Sequence, residues 1–427
     1  MPILLDVLYL VGLGLASPVL IVRWLRSGRL RTRLAGFFPK YARQERETVW
    51  FHGVSVGEVH LLTTLVAAYR KRHPDQAVVV SSTTETGLTE ARARFADLTV
   101  VRFPFDFSWN CRAAIIALKP KLLVLAESEL WPNVLAVANE FRVPVVVVNG
   151  RMSPRSYARQ RRFAGIVRGL LLNRVAHFAM QSEDYAKRLI ELGIPSAKVS
   201  VTGSVKYDGA AGDRTSPKAV ELRRLLALDG PNPPPVLVAG STHAPEEMLI
   251  LDVFAKLRSR FPELRLILVP RSPDRFAEVA AMTACVRRST IAEPLAVCPK
   301  VVILDTIGEL GAAWSLATVG FTGGSFDGKR GGQSMIEPAG YGVPVVFGPH
   351  IWNFKDAAEN LVRVSGAKMA KTTEDLVPIL EHWLNDEQVR QAAGKAARRF
   401  VQSQQGAVER TLEVQDAVMS IDDASSP

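Results

Sequence analysis

Three glutamates stand where a β/α chain commonly places its chemistry. Glu58 closes the segment VSVGE (54–58), and Glu127 and Glu129 belong to AESELWPN (126–133). Both segments follow short apolar runs typical of parallel strands, whose carboxyl ends border the ligand crevice of such a sheet. An ionised Glu58 could act there as a general base, but a glutamate in a first helical turn also stabilises the helix start. The local sequence leaves both interpretations open.

The acidic pair Glu127 and Glu129 has two interpretations as well. Carboxylates one residue apart, directly before Trp131 and Pro132, can accept a proton, orient a partner or stabilise positive charge on a reacting centre. The structural alternative is an ordinary solvated turn.

A different pattern recurs in the second half of the chain, where glycine-rich or basic turns follow predicted strands. Such turns before helix N-termini bind anions, and Arg271 and Arg275 can add charge-assisted hydrogen bonds to phosphate. Glu337, at a predicted helix start, is placed to accept both hydroxyls of a ribose. The set favours nucleotide binding over ordinary loop chemistry, and it comprises GSTH (240–243), PRSPDR (270–275), DTIGEL (305–310), GGS (323–325) and GGQSMIEPAGYGVPV (331–345).

Cysteine and histidine residues indicate no metal or nucleophile chemistry. The sequence lacks CxxC and His-Cys spacings, so neither a disulfide framework nor a cysteine zinc site is expected of Cys111, Cys285 and Cys298. This usage favours a reducing compartment. The histidines show no metal-ligand spacing and no Ser-His-Asp motif, so we expect structural or hydrogen-bonding roles for His52, His60, His243 and His350.

The chain carries 53 Lys and Arg against 42 Asp and Glu, a net charge of +11, which points to an anionic partner. Candidates are nucleic acid, anionic lipid or a phosphorylated substrate. Tyr157 and Phe163 interrupt a basic stretch that forms either a solvated helix face or a contact for an anionic acceptor or membrane surface. We expect no nucleic acid, because stacking platforms and known motifs are not evident. The basic residues of the stretch are Arg155, Arg159, Arg161, Arg162 and Arg168.

Residues 2–22 form an apolar run of about the length that crosses a bilayer. No Lys or Arg precedes Arg23, so a cleaved signal peptide is not expected. Asp6 and Pro18 leave two membrane arrangements open, spanning and interfacial, beside a buried core helix. The positive-inside bias places the remainder in the cytoplasm, because the positive charge follows the run at Arg23, Arg26, Arg29, Arg31 and Arg33.

The elements that must position these residues are alternating short strands and helices. Seven strands are predicted over 48–52, 77–82, 98–103, 122–126, 144–149, 177–181 and 199–203, and five more over 236–241, 264–270, 300–305, 318–324 and 343–348. The alternation predicts two α/β domains with a cleft between them. PNPPP (231–235) is the best linker candidate, and residues 375–419 have helical periodicity.

Taken in order, the motifs resemble those of the 3-deoxy-D-manno-octulosonic acid (Kdo) transferases, glycosyltransferases of lipopolysaccharide assembly. The resemblance runs from about residue 3 to 410. It is carried by VSVGE (54–58), ESELWPN (127–133), NGRMS (149–153), QSEDYAKR (181–188), VTGSVKYD (201–208), GSTH (240–243), PRSPDR (270–275), DTIGEL (305–310), GGSFDGKRGGQSMIEPAG (323–340) and FGPHIWNF (347–354).

The resemblance implies a GT-B glycosyltransferase, an α/β fold of two Rossmann-like domains facing a central cleft, plus an N-terminal membrane-anchor helix. We assign residues 1–26 to the anchor and 27–215 to the acceptor-binding domain. Residues 216–400 form the CMP-sugar-binding domain, and 401–427 the C-terminal helix and tail.

The resemblance also implies site residues. Glu58 matches the family's general base, and Glu127 and Lys206 match its transition-state stabilisers. Asn is usual where Ser334 stands, His where Gln333 stands, and Met is frequent at Ile307. The segments that match the CMP-binding ones are Pro270 and Arg271; Ile307, Gly308 and Glu309; and Ser334, Met335, Ile336 and Glu337.

The implied reaction is inverting transfer of Kdo from CMP-Kdo to a lipid A precursor, lipid IVA, without metal or other cofactor. The implied location is the cytoplasmic face of the cell inner membrane, with its anionic lipids as a further partner. Two alternatives remain at this point. One is a GT-B UDP-sugar transferase or epimerase, and the other is a non-catalytic, membrane-anchored protein that binds anionic lipid.

Overall fold

Runs of valine, leucine and isoleucine form the strands of two parallel sheets, as near-continuous apolar runs do when helices cover both faces. The computed structural model describes residues 2–26, 40–127, 129–210 and 212–425. The chain divides into two units, residues 1–208 with 405–427 and residues 209–404. Each unit contains one seven-stranded parallel sheet within the described residues, so the prediction of two α/β domains is confirmed.

The first unit begins with the N-terminal helix and continues as a β/α alternation. Its strands are β1 (Thr48–His52), β2 (Ala77–Ser82), β3 (Thr99–Arg102), β4 (Pro120–Ala126), β5 (Val145–Gly150), β6 (His177–Met180) and β7 (Val199–Val201). Its helices in chain order are α1 (Pro2–Arg26), α2 (Val56–Arg72), α3 (Glu85–Arg94), α4 (Ser108–Leu118), α5 (Pro132–Glu140), α6 (Pro154–Arg161), α7 (Ala164–Leu170) and α8 (Glu183–Glu191). The sheet order is β3-β2-β1-β4-β5-β6-β7. Because β1 lies between β2 and β4, the strand order reverses there, and the loops after β1 and β4 border the crevice where such sheets bind ligands.

The second unit repeats this plan. Its strands are β8 (Val236–Thr242), β9 (Arg265–Pro270), β10 (Val286–Arg287), β11 (Val301–Ile303), β12 (Val319–Thr322), β13 (Val345–Phe347) and β14 (Ala367–Met369). Its helices are α9 (Pro217–Leu225), α10 (Glu246–Arg258), α11 (Phe276–Ala280), α12 (Leu310–Leu316), α13 (Ile336–Gly340), α14 (Lys355–Arg363), α15 (Leu376–Asn385) and α16 (Glu387–Ser403). The order β10-β11-β9-β8-β12-β13-β14 reverses at β8, which lies between β9 and β12.

The proline cluster 231–235 lies inside the second unit, directly before β8. Its expected role as the linker is therefore wrong. The units change at 208/209 and 404/405, whereas the sequence analysis places its boundaries at 215/216 and 400/401.

Alternate strand residues of the first sheet fill two apolar layers. Trp50 and Leu123 are buried on one face, and Phe51 and Val124 on the other. The chain's last helix, α17 (Ala407–Ser425), belongs to this first unit and buries Leu412 in the second of these layers.

Asp208 is the last residue of the first of the two segments that make up the first unit, and it is hydrogen-bonded to the start of α17. Its carboxylate accepts the N–H groups of Gly406 and Val408, each at 2.6 Å. Negative charge at a helix N-terminus stabilises the helix dipole, and these bonds satisfy donors that the helix itself leaves free.

Helix α1 packs on α4 and α5 through a small polar network. Asp6 is buried and accepts the Ser108 N–H at 2.9 Å and the Asn133 amide at 3.0 Å, while the Tyr9 hydroxyl donates to Asp106 at 2.9 Å. The opposite side of α1 is apolar and exposed, whereas a core helix buries its apolar side. It presents Ile3, Leu4, Val7, Leu8, Leu10, Val11 and Leu15.

No helix within the described residues meets the length and apolarity needed to cross a membrane. Three of the arginines used to predict orientation, Arg29, Arg31 and Arg33, lie outside the described residues.

Candidate active site

The loop after β1 places Glu58 in the first turn of α2. Ser55 caps this helix, and its side chain accepts the Glu58 N–H. The Glu58 carboxylate reaches back to accept the Val54 N–H at 2.7 Å and the Ser55 hydroxyl at 2.9 Å. This reciprocal arrangement resembles a capping box, with the N–H of Val54 in place of the N–H of the capping residue, so Glu58 does stabilise the helix start. The same bonds also fix its carboxylate in one orientation at the edge of the sheet.

The half-buried environment of Glu58 shifts the pKa of its carboxyl group. Burial raises its pKa, the hydrogen bonds from Val54 and Ser55 oppose that rise, and the negative charges of Glu127 and Glu129 add to it. A carboxylate whose pKa moves toward the working pH is a more effective general base. The environment of Glu58 is therefore suited to proton transfer as well as to capping.

Glu127 follows the last residue of β4 and has a φ of 58°, in the left-handed region that favours glycine. Its N–H donates to the Val148 carbonyl at 2.8 Å, which keeps the residue attached to β5. Strained backbone of this kind persists where surrounding structure enforces it and is common at functional sites. The Lys206 Nζ lies 3.5 Å from the Glu127 Oε1, and both side chains are partly exposed.

Glu129 completes the acidic group, because burial and the Glu127 charge raise its pKa. The loops after β1, β4 and β7 thus bring Glu58, Glu127, Glu129 and Lys206 to one edge of the first sheet. Three carboxylates and an ammonium provide a proton acceptor together with groups that can stabilise charge of either sign.

In the second unit, the predicted donor-binding residues lie at the end of β9 and in the segments that follow β9, β11 and β12. Pro270 is buried at the end of β9, and the exposed Arg271 donates its N–H to the Thr242 carbonyl at 3.0 Å. Burial raises the pKa of Glu337, and the positive charge of Arg271 opposes that shift. The positive charge of Arg271 thus acts on the Glu337 carboxyl.

The other residues that are predicted to bind CMP differ in exposure, hydrogen bonding and backbone conformation. Ile307 is 83% exposed, whereas Met335 and Ile336 are buried. Glu309 accepts a hydrogen bond from Arg288 at 3.0 Å. Gly308 has a φ of 84°, so the tight turn at this position favours glycine.

A family model described as 3-deoxy-D-manno-octulosonic-acid transferase (kdotransferase) matches residues 28–209. The 3-deoxy-D-manno-octulosonic acid transferase of Haemophilus influenzae is 32% identical over 400 residues, which are 91% of this chain and 92% of that protein. The chain belongs to the Kdo transferase family. It is a glycosyltransferase of lipopolysaccharide biosynthesis.

A second relative agrees with the family assignment, and a solved structure bears on the fold. The Bordetella pertussis 3-deoxy-D-manno-octulosonic acid transferase is 31% identical over 422 residues, covering 94% of this chain and 96% of that protein. The solved UDP-GlcNAc 2-epimerase of Neisseria meningitidis superposes with a TM-score of 0.55 at 13% identity, covering 83% of this chain and 98% of that one. At this identity the likeness shows the fold alone, which is GT-B-like.

Two features predicted to bind an anion in this Kdo transferase family member have other partners. The Gly324 and Ser325 N–H groups of the GGS turn donate to the buried Glu246 carboxylate at 2.7 and 2.9 Å. Arg275 pairs with Glu247 and Glu278, each at 3.1 Å. The prediction that this turn binds phosphate is therefore corrected, because the Glu246 carboxylate already accepts its N–H groups. Both terminal nitrogens of Arg275 donate to carboxylates, so its predicted phosphate contact is corrected to these ion pairs.

Glu246 and Glu247 are the residues that sequence reasoning missed. Both are 0% exposed. The available signal was two adjacent glutamates three residues after the glycine-rich GSTH turn, at the start of an amphipathic helix. Their role depends on partners distant in sequence, which a local pattern does not reveal.

The histidines have the hydrogen-bonding and packing roles expected of them. His52 is buried, stacks on Phe103 at 3.6 Å and contacts the Ser81 hydroxyl at 3.0 Å; burial lowers its pKa to about 3. Burial and the charge of Arg330 lower the pKa of His243 to about 4. Within the described residues, no group of three or more His, Cys, Asp or Glu side chains is arranged to hold a metal ion.

Proposed function

We propose that this chain transfers Kdo from CMP-Kdo to a lipid A precursor, lipid IVA, with inversion at the anomeric carbon. The observation that carries the proposal is Glu58, a half-buried carboxylate with a raised pKa beside the Glu127 and Lys206 pair. Family membership supports the Kdo donor, since the names of the H. influenzae and B. pertussis relatives specify Kdo transfer.

In the proposed step, a sugar hydroxyl of the acceptor attacks the anomeric carbon of Kdo while Glu58 takes the hydroxyl proton. The bond between that carbon and the phosphate oxygen breaks, and its electron pair leaves with CMP. Glu127 stabilises the positive charge that develops on the sugar carbon, and Lys206 stabilises the departing phosphate. The 3.5 Å separation of Glu127 and Lys206 supports this division of charge, because opposite partial charges form together in the transition state.

The proposed donor site lies in the second unit and binds the CMP portion. The exposed Arg271 guanidinium supplies positive charge for the phosphate, and Glu337, on whose carboxyl that charge acts, accepts the ribose hydroxyls. Within this unit, Arg271 also provides the cationic group that a metal would otherwise supply. We therefore propose that transfer needs no metal or other cofactor.

We place the acceptor at the cytoplasmic face of the inner membrane. Support comes from the exposed apolar side of α1 and from helices α6 and α7, which bury none of their residues. Phe163 and Ile166 are 60% and 61% exposed there, among five exposed arginines. Apolar side chains flanked by arginines suit the boundary of an anionic bilayer.

The decisive experiment supplies CMP-Kdo, generated in place, and a tetra-acylated lipid A precursor, and weighs the lipid by mass spectrometry. A gain of one or more Kdo units is expected for the wild type and is expected to be lost in Glu58→Gln. Glu47→Gln, which changes an exposed glutamate just before β1, is the matched control. No mass gain with folded, CMP-binding wild-type protein would contradict the proposed acceptor.

The same preparation separates the two alternatives. A UDP-sugar transferase or epimerase predicts that UDP raises the melting temperature more than CMP does, whereas the proposed donor predicts the reverse. A non-catalytic lipid-binding protein predicts that Glu58→Gln changes nothing, since vesicle binding through arginines does not need this carboxylate.

A further inference from the structure

Two adjacent glutamates, Glu246 and Glu247, begin helix α10 with no exposed surface. A carboxylate is rarely buried to this extent unless protein groups satisfy it, because the lost hydration must be replaced. Both residues follow β8, the strand at which the order of the second sheet reverses. Ligand-binding loops of such sheets converge at that point. Neither residue belongs to the predicted CMP-binding segments.

Glu246 joins two of these loops through four backbone hydrogen bonds. One carboxylate oxygen accepts the N–H groups of His243 at 3.1 Å and Gly324 at 2.7 Å. The other accepts those of Ser325 at 2.9 Å and Phe326 at 3.1 Å. Since an ionised carboxylate offers about four acceptor positions, its capacity is fully used. The loops after β8 and β12 are therefore held to one side chain.

We call Glu246 and the four N–H groups that it accepts the Glu246 clamp. A second set of hydrogen bonds connects this clamp to the predicted donor-binding segment. The carbonyls of Gly323 and Gly324 accept the N–H groups of Gln333 at 3.0 Å and Gly332 at 2.8 Å. Ser334 follows directly and begins the segment 334–337, which is expected to contact CMP. The position of that segment thus depends on the loop that Glu246 holds.

Glu247 makes the corresponding connection to the loop after β9. Its carboxylate pairs with Arg275 at 3.1 Å, four residues beyond Arg271. The Arg271 N–H in turn donates to the Thr242 carbonyl, next to His243 of the Glu246 clamp. The two carboxylates therefore restrain different loops that carry predicted donor contacts.

We propose that Glu246 is a positioning residue of the donor site, which holds the loop after β12 so that the segment 334–337 is preformed to receive the nucleotide. Glu247 supports the neighbouring loop through Arg275. This inference rests on the proposed CMP-Kdo donor. It assigns Glu246 no contact with substrate and no proton transfer.

The test compares Glu246→Gln with Glu293→Gln, which alters an exposed glutamate of the same unit. Glutamine places an NH₂ group against two of the four N–H donors, so half of the clamp becomes repulsive. We expect the Kd for CMP and the KM for CMP-Kdo to rise by about tenfold or more, the scale of a lost hydrogen bond to a charged group. The kcat should stay within about threefold and the KM for the acceptor should not change, because the chemical step is untouched.

Hydrogen exchange of the wild-type chain keeps the inference testable if Glu246→Gln does not fold. The amides of Gly324, Ser325 and Phe326 should exchange slowly without nucleotide, because the carboxylate holds them before any ligand binds. Fast exchange that becomes slow only with CMP would overturn the proposal. So would a folded Glu246→Gln variant that binds CMP as the wild type does. A wild type that binds no CMP would instead contradict the proposed donor, so the two failures are distinguishable.

Discussion

The two units place carboxylates at the same edge of similar sheets but satisfy them to different degrees. Glu58 of the first unit accepts two hydrogen bonds and remains partly exposed, whereas Glu246 of the second accepts four and is fully buried. A carboxylate with free acceptor positions can take up a proton from a substrate. One whose positions are all filled must first break a hydrogen bond. Unused acceptor capacity, and not location in the fold, thus separates a group suited to proton transfer from one suited to positioning.

The largest effect is expected at Glu58, and its absence would break this comparison. Glu58→Gln keeps a side chain of the same shape but cannot take the hydroxyl proton, so transfer should fall by about 10²- to 10⁴-fold. The Kd for CMP should not change, because the nucleotide is assigned to the second unit. Rates come from single-turnover mass spectrometry and affinity from calorimetry, with Glu47→Gln as control. A variant that retains half the wild-type rate would show that Glu58 serves only the helix start.

Lys206 is expected to give the next largest effect. Lys206→Met removes the positive charge beside Glu127, and kcat should fall by about 10²- to 10³-fold if that charge stabilises the leaving phosphate. Lys206→Arg keeps the charge and should recover part of the loss. Equal activities of the Met and Arg variants, measured at saturating substrates, would exclude the charge as the reason for the effect.

A stability difference between the units should follow removal of Asp6. Asp6→Ala leaves the buried Ser108 N–H and one N–H of the Asn133 amide without their acceptor, and the free energy of unfolding of the first unit should fall by about 1–3 kcal/mol. Urea unfolding followed separately for each unit checks this, with the exposed Asp75→Ala as control. An equal loss in the second unit would contradict a local role for Asp6.

The smallest expected effect is a change in pH dependence. The Glu129 charge contributes to the raised pKa of Glu58, so Glu129→Gln should let Glu58 ionise at lower pH. The acidic limb of the kcat/KM profile should therefore move to lower pH, while the Glu47→Gln profile should match that of the wild type. Movement to higher pH would show that the two carboxylates are not coupled in this way.

Sequence patterns anticipated most of the sheet interiors and missed the edges. The predictions for β1 and β2 agree with the structure residue for residue, because central parallel strands are long and continuously apolar. Strands β10 and β14 were missed because they have only two and three residues, too few to establish a period.

Site residues divide in the same way. Glu58 and Glu127 could be placed at the sheet edge, since each directly follows a recognisable strand. Glu246 could not be assigned a role, because Gly324 lies 78 residues away and the bond exists only once β8 and β12 are neighbours. The correction at Arg275 has the same origin, as Glu247 precedes it by 28 residues.

The position of α17 in the chain, after the whole second unit, has a consequence for synthesis on the ribosome. One apolar layer of the first sheet needs Leu412, and the sequence that supplies it is translated only after the whole second unit. The second unit is encoded by one uninterrupted stretch and can complete its sheet as soon as that stretch has emerged. The part of the protein that is made first is thus finished last, and a nascent chain arrested near residue 404 would expose an uncovered apolar layer to chaperones.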